Sequence, residues 1–232
     1  MKTDSLDVVN VCEVDPSHIF TLIKQEEYKL VGELIVSNVV SINFKDNLGN
    51  DVMTRLLKAK EYDLLLILMK KKNWNVNNQN IEGNTFGHIL AADNSIKAVE
   101  VFKELVRKSN YQPNIKNNNG ETALDIAISN QYLCTAFKIL EDKRFTDIDV
   151  FAFKNLFDIS INNDEYGKYS KLTNLDILVN SLEKKELLPS MRELIDIICA
   201  NLEAIKRNIM NNRIDLISLF IDNTVKEVVL EG

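Results

Sequence analysis

The sequence predicts an all-α protein, a solenoid of helical hairpins with finger-like turns and a helical C-terminal cap. Three observations carry that expectation. A polar segment closed by a glycine occurs three times, each copy opens a short apolar helical pattern, and a second, denser apolar pattern completes each unit. The copies are Ile42–Asn50, Val76–Asn84 and Pro113–Glu121, and they align without gaps. In each, an asparagine (Asn43, Asn77 or Asn114) stands six positions before a glycine, and Gly49, Gly83 and Gly120 are 34 and 37 residues apart. That period suits helical solenoids.

The chemistry of the segment is that of a tight turn opening a helix. Short polar side chains bond their own backbone, and the glycine takes a positive φ that other residues adopt only at a cost. After Gly120, Thr122 is placed to cap a helix whose Leu124, Ala127 and Ile128 share one face. After Gly83 the equivalent run is Asn84–Ala92. The second helices are expected at Tyr62–Met69, Ile96–Val106 and Leu133–Leu140. Their apolar positions are too dense for a one-sided surface helix, so both flanks should be covered by neighbouring units.

These segments resemble ankyrin repeats, whose signature reads Asn-x-x-Asp-x-x-Gly-x-Thr-Pro-Leu-His-x-Ala-Ala. Thr85 and Thr122 match its threonine, His88 its histidine, Leu124 its leucine, and Ala91 and Ala127 its small inner-helix residues. The unit at Gly49 keeps only the turn and the apolar run, with Asp51, Val52, Met53 and Thr54 in the signature positions. The proline is replaced throughout, by Val52, Phe86 and Ala123. The resemblance is specific over about residues 15–150.

Flanking segments complete the plan. Ser17–Val31 reads as helix, turn and helix, which suits an N-terminal capping unit, so the array with that unit should span residues 1–159. Residues 160–170 are polar and turn-rich and are expected to form a loop. Residues 171–232 form a C-terminal helical capping segment, either a plain cap or degenerate ankyrin repeats. Ser190 stands three residues before Glu193, a capping-box arrangement that should start a helix running towards Ile209. Asn211–Asn223 has the pattern of an outer repeat helix.

Composition bounds the function. The chain has 232 residues, 45% of them apolar and 27% charged, which is globular usage. A net charge of −6 argues against general binding to a nucleic-acid backbone. The basic run Lys70–Lys72 ends an apolar helical pattern, where cations complement the helix dipole. Cys12, Cys134 and Cys199 are widely separated, which speaks for buried thiols in a reducing compartment and against a disulfide framework. Residues Met1–Val14 lack a signal-peptide core, and no uninterrupted apolar run approaches membrane-spanning length. A cytoplasmic protein without membrane insertion is expected, export by another system aside, and a monomer is favoured.

Catalytic chemistry needs a nucleophile, a base and a group to orient the base. The two histidines are otherwise engaged: His88 fits the repeat signature, where a histidine bonds the turn backbone, and His18 begins a helix. Phosphate-loop and metal-ligand motifs do not occur in the sequence. No enzyme activity, catalytic residue, metal or cofactor is expected. The single Trp74 is read as packed between hairpins, with an exposed anchor as the alternative.

The resemblance implies a protein-binding surface made of the turn tips and a concave face of first helices. Transferred by position, the tips are Asn47, Leu48 and Asn50, then Ile81, Glu82 and Asn84, then Asn118, Asn119 and Glu121. The helix face adds Lys58, Ala59, Ala92, Asp93, Ser129 and Asn130. Leu48 and Ile81 matter most, because exposed apolar tips gain burial on binding; the alternative is that they pack on each other across neighbouring fingers. The expected role is a protein–protein adaptor or scaffold. A regulatory or inhibitory subunit of an enzyme or transcription factor, or a microbial effector acting on host proteins, would use the same surface.

Overall fold

The computed structural model describes residues 15–162, 167–183 and 185–231. The first eight helices form four hairpins: α1 (His18–Lys24) with α2 (Tyr28–Val36), α3 (Val52–Lys58) with α4 (Tyr62–Leu68), α5 (Phe86–Ala91) with α6 (Ile96–Val106), and α7 (Ala123–Ser129) with α8 (Leu133–Leu140). First helices pack on first helices along the chain, and second helices on second helices, giving an inner and an outer row. At six or seven residues the inner helices are too short to persist alone. Burial holds them: Met53 and Leu56 of α3, Phe86 and Leu90 of α5, and Leu124 and Ala127 of α7 are fully enclosed. Both rows share one continuous apolar core. Three of the hairpins reverse through a non-glycine residue with positive φ, Glu26, Lys60 or Gln131.

Two polar ladders tie the hairpins together. In the first, an asparagine of one unit bridges the next. Asn43 donates to the Asn73 carbonyl at 2.6 Å and accepts from the Asn75 amide at 2.8 Å. Asn77 does the same with Asn110 and Gln112, at 2.6 and 3.0 Å. Asn114 repeats it with Arg144 and Thr146, at 3.0 and 3.1 Å. The recurrent asparagines therefore join neighbouring units; the expectation that they serve their own turn is corrected. That task falls to the residue three before each glycine, as described below.

In the second ladder, a cation of one unit binds carbonyls at or just beyond the end of the outer helix of the unit before it. Lys71 donates to the Ile35 and Val36 carbonyls at the end of α2, at 2.7 and 3.1 Å. Lys108 reaches the Met69 carbonyl at the end of α4. Arg144 donates to the carbonyls of Val106, the last residue of α6, and Lys108, both at 2.6 Å. Lys185 donates to the Asp142 and Phe145 carbonyls after α8, at 2.6 and 2.8 Å. The carbonyls of Ile35, Val36, Met69 and Val106 close their helices, where a cation meets the negative end of the helix dipole, whereas those of Lys108, Asp142 and Phe145 belong to the turns that follow. Lys71 of the basic run thus sits near a helix end, but it serves the end of α2 and not that of its own α4.

The remaining helices are longer: α9 (Val150–Asn162), α10 (Gly167–Glu183), α11 (Pro189–Met210) and α12 (Ile214–Glu231). Helix α9 extends the inner row by packing on α7, and α10 extends the outer row by packing on α8. Each of the four packs on the next, and α12 returns to α9, which closes a four-helix bundle. Phe153, Leu156, Phe157, Leu178, Leu194 and Ile221 are fully buried in it.

Several expectations change here. The division expected at residue 159 falls inside α9, and within 160–170 residues 160–162 and 167–170 are helical, while 163–166 lie outside the described residues. Ser190 does not cap α11, because the helix starts one residue earlier with Pro189 in its first turn and Leu188 as the flanking residue. Proline suits that position, since its missing amide hydrogen has no intrahelical partner there anyway. Helix α12 packs on α9 in the inner row and is not an outer repeat helix. Cys134 is exposed and Cys199 half-buried, so the buried-thiol expectation fails for these two; Cys12 lies outside the described residues. Among the described residues no helix is long and apolar enough to cross a membrane.

Candidate functional site: the finger row

Each finger is built by one short polar side chain. Asp46 Oδ1 accepts from the Leu48 and Asn50 amides, both at 2.9 Å. Asn80 Oδ1 accepts from Glu82 and Asn84 at 3.0 and 2.9 Å, and Asn117 Oδ1 from Asn119 and Glu121, both at 3.0 Å. A glycine with φ of 74°, 76° or 80° closes each turn. Burial works against the charge of Asp46, but amide donors from Asn50 and Leu48 and the guanidinium of Arg55 outweigh it and hold the carboxyl below its usual range.

Fingers are registered against one another by backbone. The Ile81 amide donates to the Leu48 carbonyl at 3.1 Å, and the Asn118 amide to the Glu82 carbonyl at 3.0 Å. Side chains repeat the link: Asn80 Nδ2 to Asn50 Oδ1 at 3.2 Å, and Asn117 Nδ2 to Asn84 Oδ1 at 3.0 Å. The row is therefore a fixed surface with few conformations to lose on binding.

Expected site residues divide into two groups. Asn47, Leu48, Ile81, Glu82, Asn118 and Asn119 are exposed at the tips, and Lys58, Ala92, Ser129 and Asn130 are exposed on the inner row. Leu48 and Ile81 are 42% and 62% exposed, and their backbones are bonded as neighbours. The others serve the fold. Asn50 is buried, a correction to its reading as a tip: its Oδ1 receives Asn80 and, at 3.3 Å, Lys58 Nζ. Asn84 and Glu121 are half-buried, with Glu121 Oε2 accepting from Asn117 Nδ2 at 3.0 Å. Ala59 is half-buried against the core. Asp93 is bonded to the Tyr62 hydroxyl of the preceding hairpin and, at 2.9 Å, to the Ser95 amide. Burial opposes its charge, yet those donors keep its pKa below the ordinary carboxylate value; the Tyr62 hydroxyl is pushed up, mainly by burial.

Helix starts beneath the fingers explain the remaining signature residues. Thr122 accepts from the Asp125 amide at 3.3 Å while Asp125 accepts from the Thr122 amide at 2.7 Å. His88 replaces that acid in its own unit, with Nδ1 at 3.1 Å from the Thr85 amide and 2.7 Å from Thr85 Oγ1. Trp74 is buried and donates to Asp51 Oδ2 at 3.1 Å, while Asp51 Oδ1 caps α3 through the Thr54 amide at 2.8 Å. His18 begins α1 and is exposed. Sequence reasoning did not find Asp46, Asn80 and Asn117 as the finger builders; their constant spacing of three before the glycine was the available signal.

A cleft of 720 Å³ also opens between the end of α8 and α10, lined by Glu141, Lys143, Asp176 and Lys185 among others. Two of its charges serve the fold: Asp176 pairs with Lys206 at 2.8 Å, and Lys185 binds the turn after α8. Burial pushes the Lys185 ammonium down, partly offset by Asp142. Among the described residues no three His, Cys, Asp or Glu side chains gather as a metal site.

Short paired helices, closing glycines and registered fingers define a helical-repeat solenoid. Residues 55–152 match the family model of ankyrin repeats, in three copies. The fold is similar to the crystal structure of EF0377, an ankyrin repeat protein, with a TM-score of 0.56 and 16% identity over 75% of this chain and 84% of that one. No curated protein matches the sequence.

Proposed function

We propose that this chain is a protein-binding module, an adaptor or scaffold that holds a partner protein through its finger tips and the concave side of its inner helices. The observation that carries the reading is the pair Leu48 and Ile81, two large apolar side chains left 42% and 62% exposed at adjacent tips of a registered row. Apolar anchors on a preorganised surface gain burial on binding at small entropic cost. The exposed polar groups Asn47, Glu82, Asn118, Asn119, Lys58, Ser129 and Asn130 would surround them with a hydrogen-bonding rim. Binding and not catalysis is favoured because the best candidate base, His88, has both ring nitrogens committed to the fold. The module would work as a monomer in the cytoplasm, without cofactor, membrane insertion or nucleic acid.

Leu48→Asp with Ile81→Asp tests the reading by affinity capture from the native organism. The variant should melt like the parent and lose the captured partners, because burying an unpaired carboxylate is costly. Glu100→Lys with Lys103→Glu, exposed on the outer row, should leave capture unchanged. An unaltered partner set from the well-folded tip variant would place the binding surface elsewhere.

A further inference from the structure

The finger row is open at its last member. Behind Gly49 and Gly83 stands the following finger: a Cβ on Gly49 would lie 3.1 Å from Asn80 Cα, and one on Gly83 would lie 2.5 Å from Asn118 Oδ1. At Gly120 a Cβ would meet nothing within 4 Å, and the glycine is exposed. The carbonyls used in this stacking are those of Leu48 and Glu82, each one residue before its glycine. Asn118 adds its side-chain amide to the Ile81 carbonyl at 2.9 Å. The equivalent carbonyls of the third finger, Asn119 and Asn118, accept no hydrogen bond among the described residues.

Another repeat does not follow there because the connection is too short. Residues 69–85 and 107–122 link successive hairpins and carry fingers, but only residues 141–149 link α8 to α9. The helical rows nevertheless continue, since α9 covers α7 and α10 covers α8. The places for the next inner and outer helices are filled, and the α8–α9 connection reaches the base of the third finger, where Asp147 pairs with Lys116 at 2.9 Å, but a Cβ at the tip glycine Gly120 meets nothing within 4 Å.

We propose that the open edge of the third finger, Asn118–Gly120, receives an extended or turn-forming, asparagine-containing segment of a partner protein. The asparagine would repeat what Asn118 does to the second finger: its backbone amide donates to the Asn119 carbonyl and its side-chain amide to the Asn118 carbonyl, with the partner backbone against the bare face of Gly120. A second copy docked by its first hairpin is disfavoured, because α9 and α10 stand where its helices would pack. This is edge recognition by main-chain hydrogen bonds, and it uses the end of the row where the tip surface uses its crest.

The test is a titration of the ¹⁵N-labelled full chain with a cyclised peptide carrying the Pro113–Thr122 sequence, followed by amide shifts. Shifts confined to Lys116–Glu121 are expected. Replacing the peptide asparagine equivalent to Asn118 by alanine should weaken binding about tenfold, the scale of a lost hydrogen bond with its partner left unmet. Gly120→Asn in the protein should weaken it at least as much, since asparagine tolerates the left-handed region and its side chain fills the edge. Leu48→Asp with Ile81→Asp should leave this binding unchanged, so failure of the tip surface and failure of the edge read out separately. Shifts on the inner helices or first two fingers, absence of shifts, or indifference to the peptide alanine overturns the proposal.

Discussion

His88 of the second finger-bearing repeat reaches across the stack to the third, where its Nε2 lies 3.0 Å from the Glu121 carbonyl. The other ring nitrogen faces the Thr85 amide and hydroxyl, both able to donate. This network assigns the neutral tautomer with hydrogen on Nε2. One imidazole therefore caps its own helix and joins two repeats, and protonation of Nδ1 would break the first of these roles.

The pH dependence follows. Burial holds the His88 pKa below its ordinary 6.5, partly opposed by the Glu121 carbonyl. The unfolded chain then takes up the proton first, so stability is complete above about pH 6.5 and falls as the pH drops towards the lower folded value. Denaturant midpoints measured between pH 7.5 and about pH 5.5 should decline in the parent and decline less in His88→Gln. The losses from Asp46 and Asp93, whose folded pKa values are lowered from 3.8, belong to more acid pH. A parallel decline in both proteins would remove His88 as the cause.

Gly83 and Gly120 separate backbone strain from crowding. Both have positive φ, but a side chain at Gly83 collides with the Asn118 backbone while one at Gly120 meets open space. Gly120→Val should cost about 1–2 kcal/mol, the left-handed penalty alone. Gly83→Val should cost more, about 3 kcal/mol or above, because the third finger must also shift. Equal losses in thermal or urea unfolding would show that the fingers yield freely.

How far the sequence discloses this depends on whether a residue's partner lies within its own unit. Thr122 and Asp125 are three apart and meet in one turn, so the cap is legible locally, as are the helices Ile96–Val106 and Leu133–Leu140. Asn50 looks like its exposed neighbours Asn47 and Leu48, yet it is buried because the second finger lays Asn80 over it. The bridging of Asn77 to residues 110 and 112 is equally invisible within one repeat, although its recurrence marks it as special. The four-helix bundle is hidden for a different reason. Amphipathic helices of that length carry the same apolar periodicity whether they stack in rows or close into a ring, and only the return of α12 to α9 decides it.

Arg144 is expected to be the most sensitive cation of the capping ladder. It holds two carbonyls at the end of α6, pairs with Asp142 at 2.7 Å and lies 5.6 Å from the Tyr111 ring centre. A flexible ammonium cannot reproduce a planar fork that binds two carbonyls and stacks on a ring. Arg144→Lys should cost about 1 kcal/mol and Arg144→Met about 2–3 kcal/mol in equilibrium unfolding, the range for hydrogen bonds to charged groups. A lysine variant as stable as the parent would reduce the residue to a point charge.

Asn77 tests whether the asparagine ladder couples repeats or merely decorates them. Its amide group bonds the Asn110 carbonyl and the Gln112 amide, both in the loop that leads to the next finger. Asn77→Ala leaves an acceptor and a donor to find water, at a cost of about 1–2 kcal/mol for a half-buried site. Asn77→Asp keeps the acceptor for Gln112 but turns a carboxylate towards the Asn110 carbonyl, so it should be no better than alanine. In a one-dimensional stack, weakening an interface lowers cooperativity as well as stability. Hydrogen exchange should therefore show the amides of α3 and α4 losing protection independently of those of α7 and α8 in Asn77→Ala, whereas in the parent they exchange together. If both halves still open as one unit, the apolar contacts between α4 and α6 carry the coupling, and the asparagine only shapes the loop.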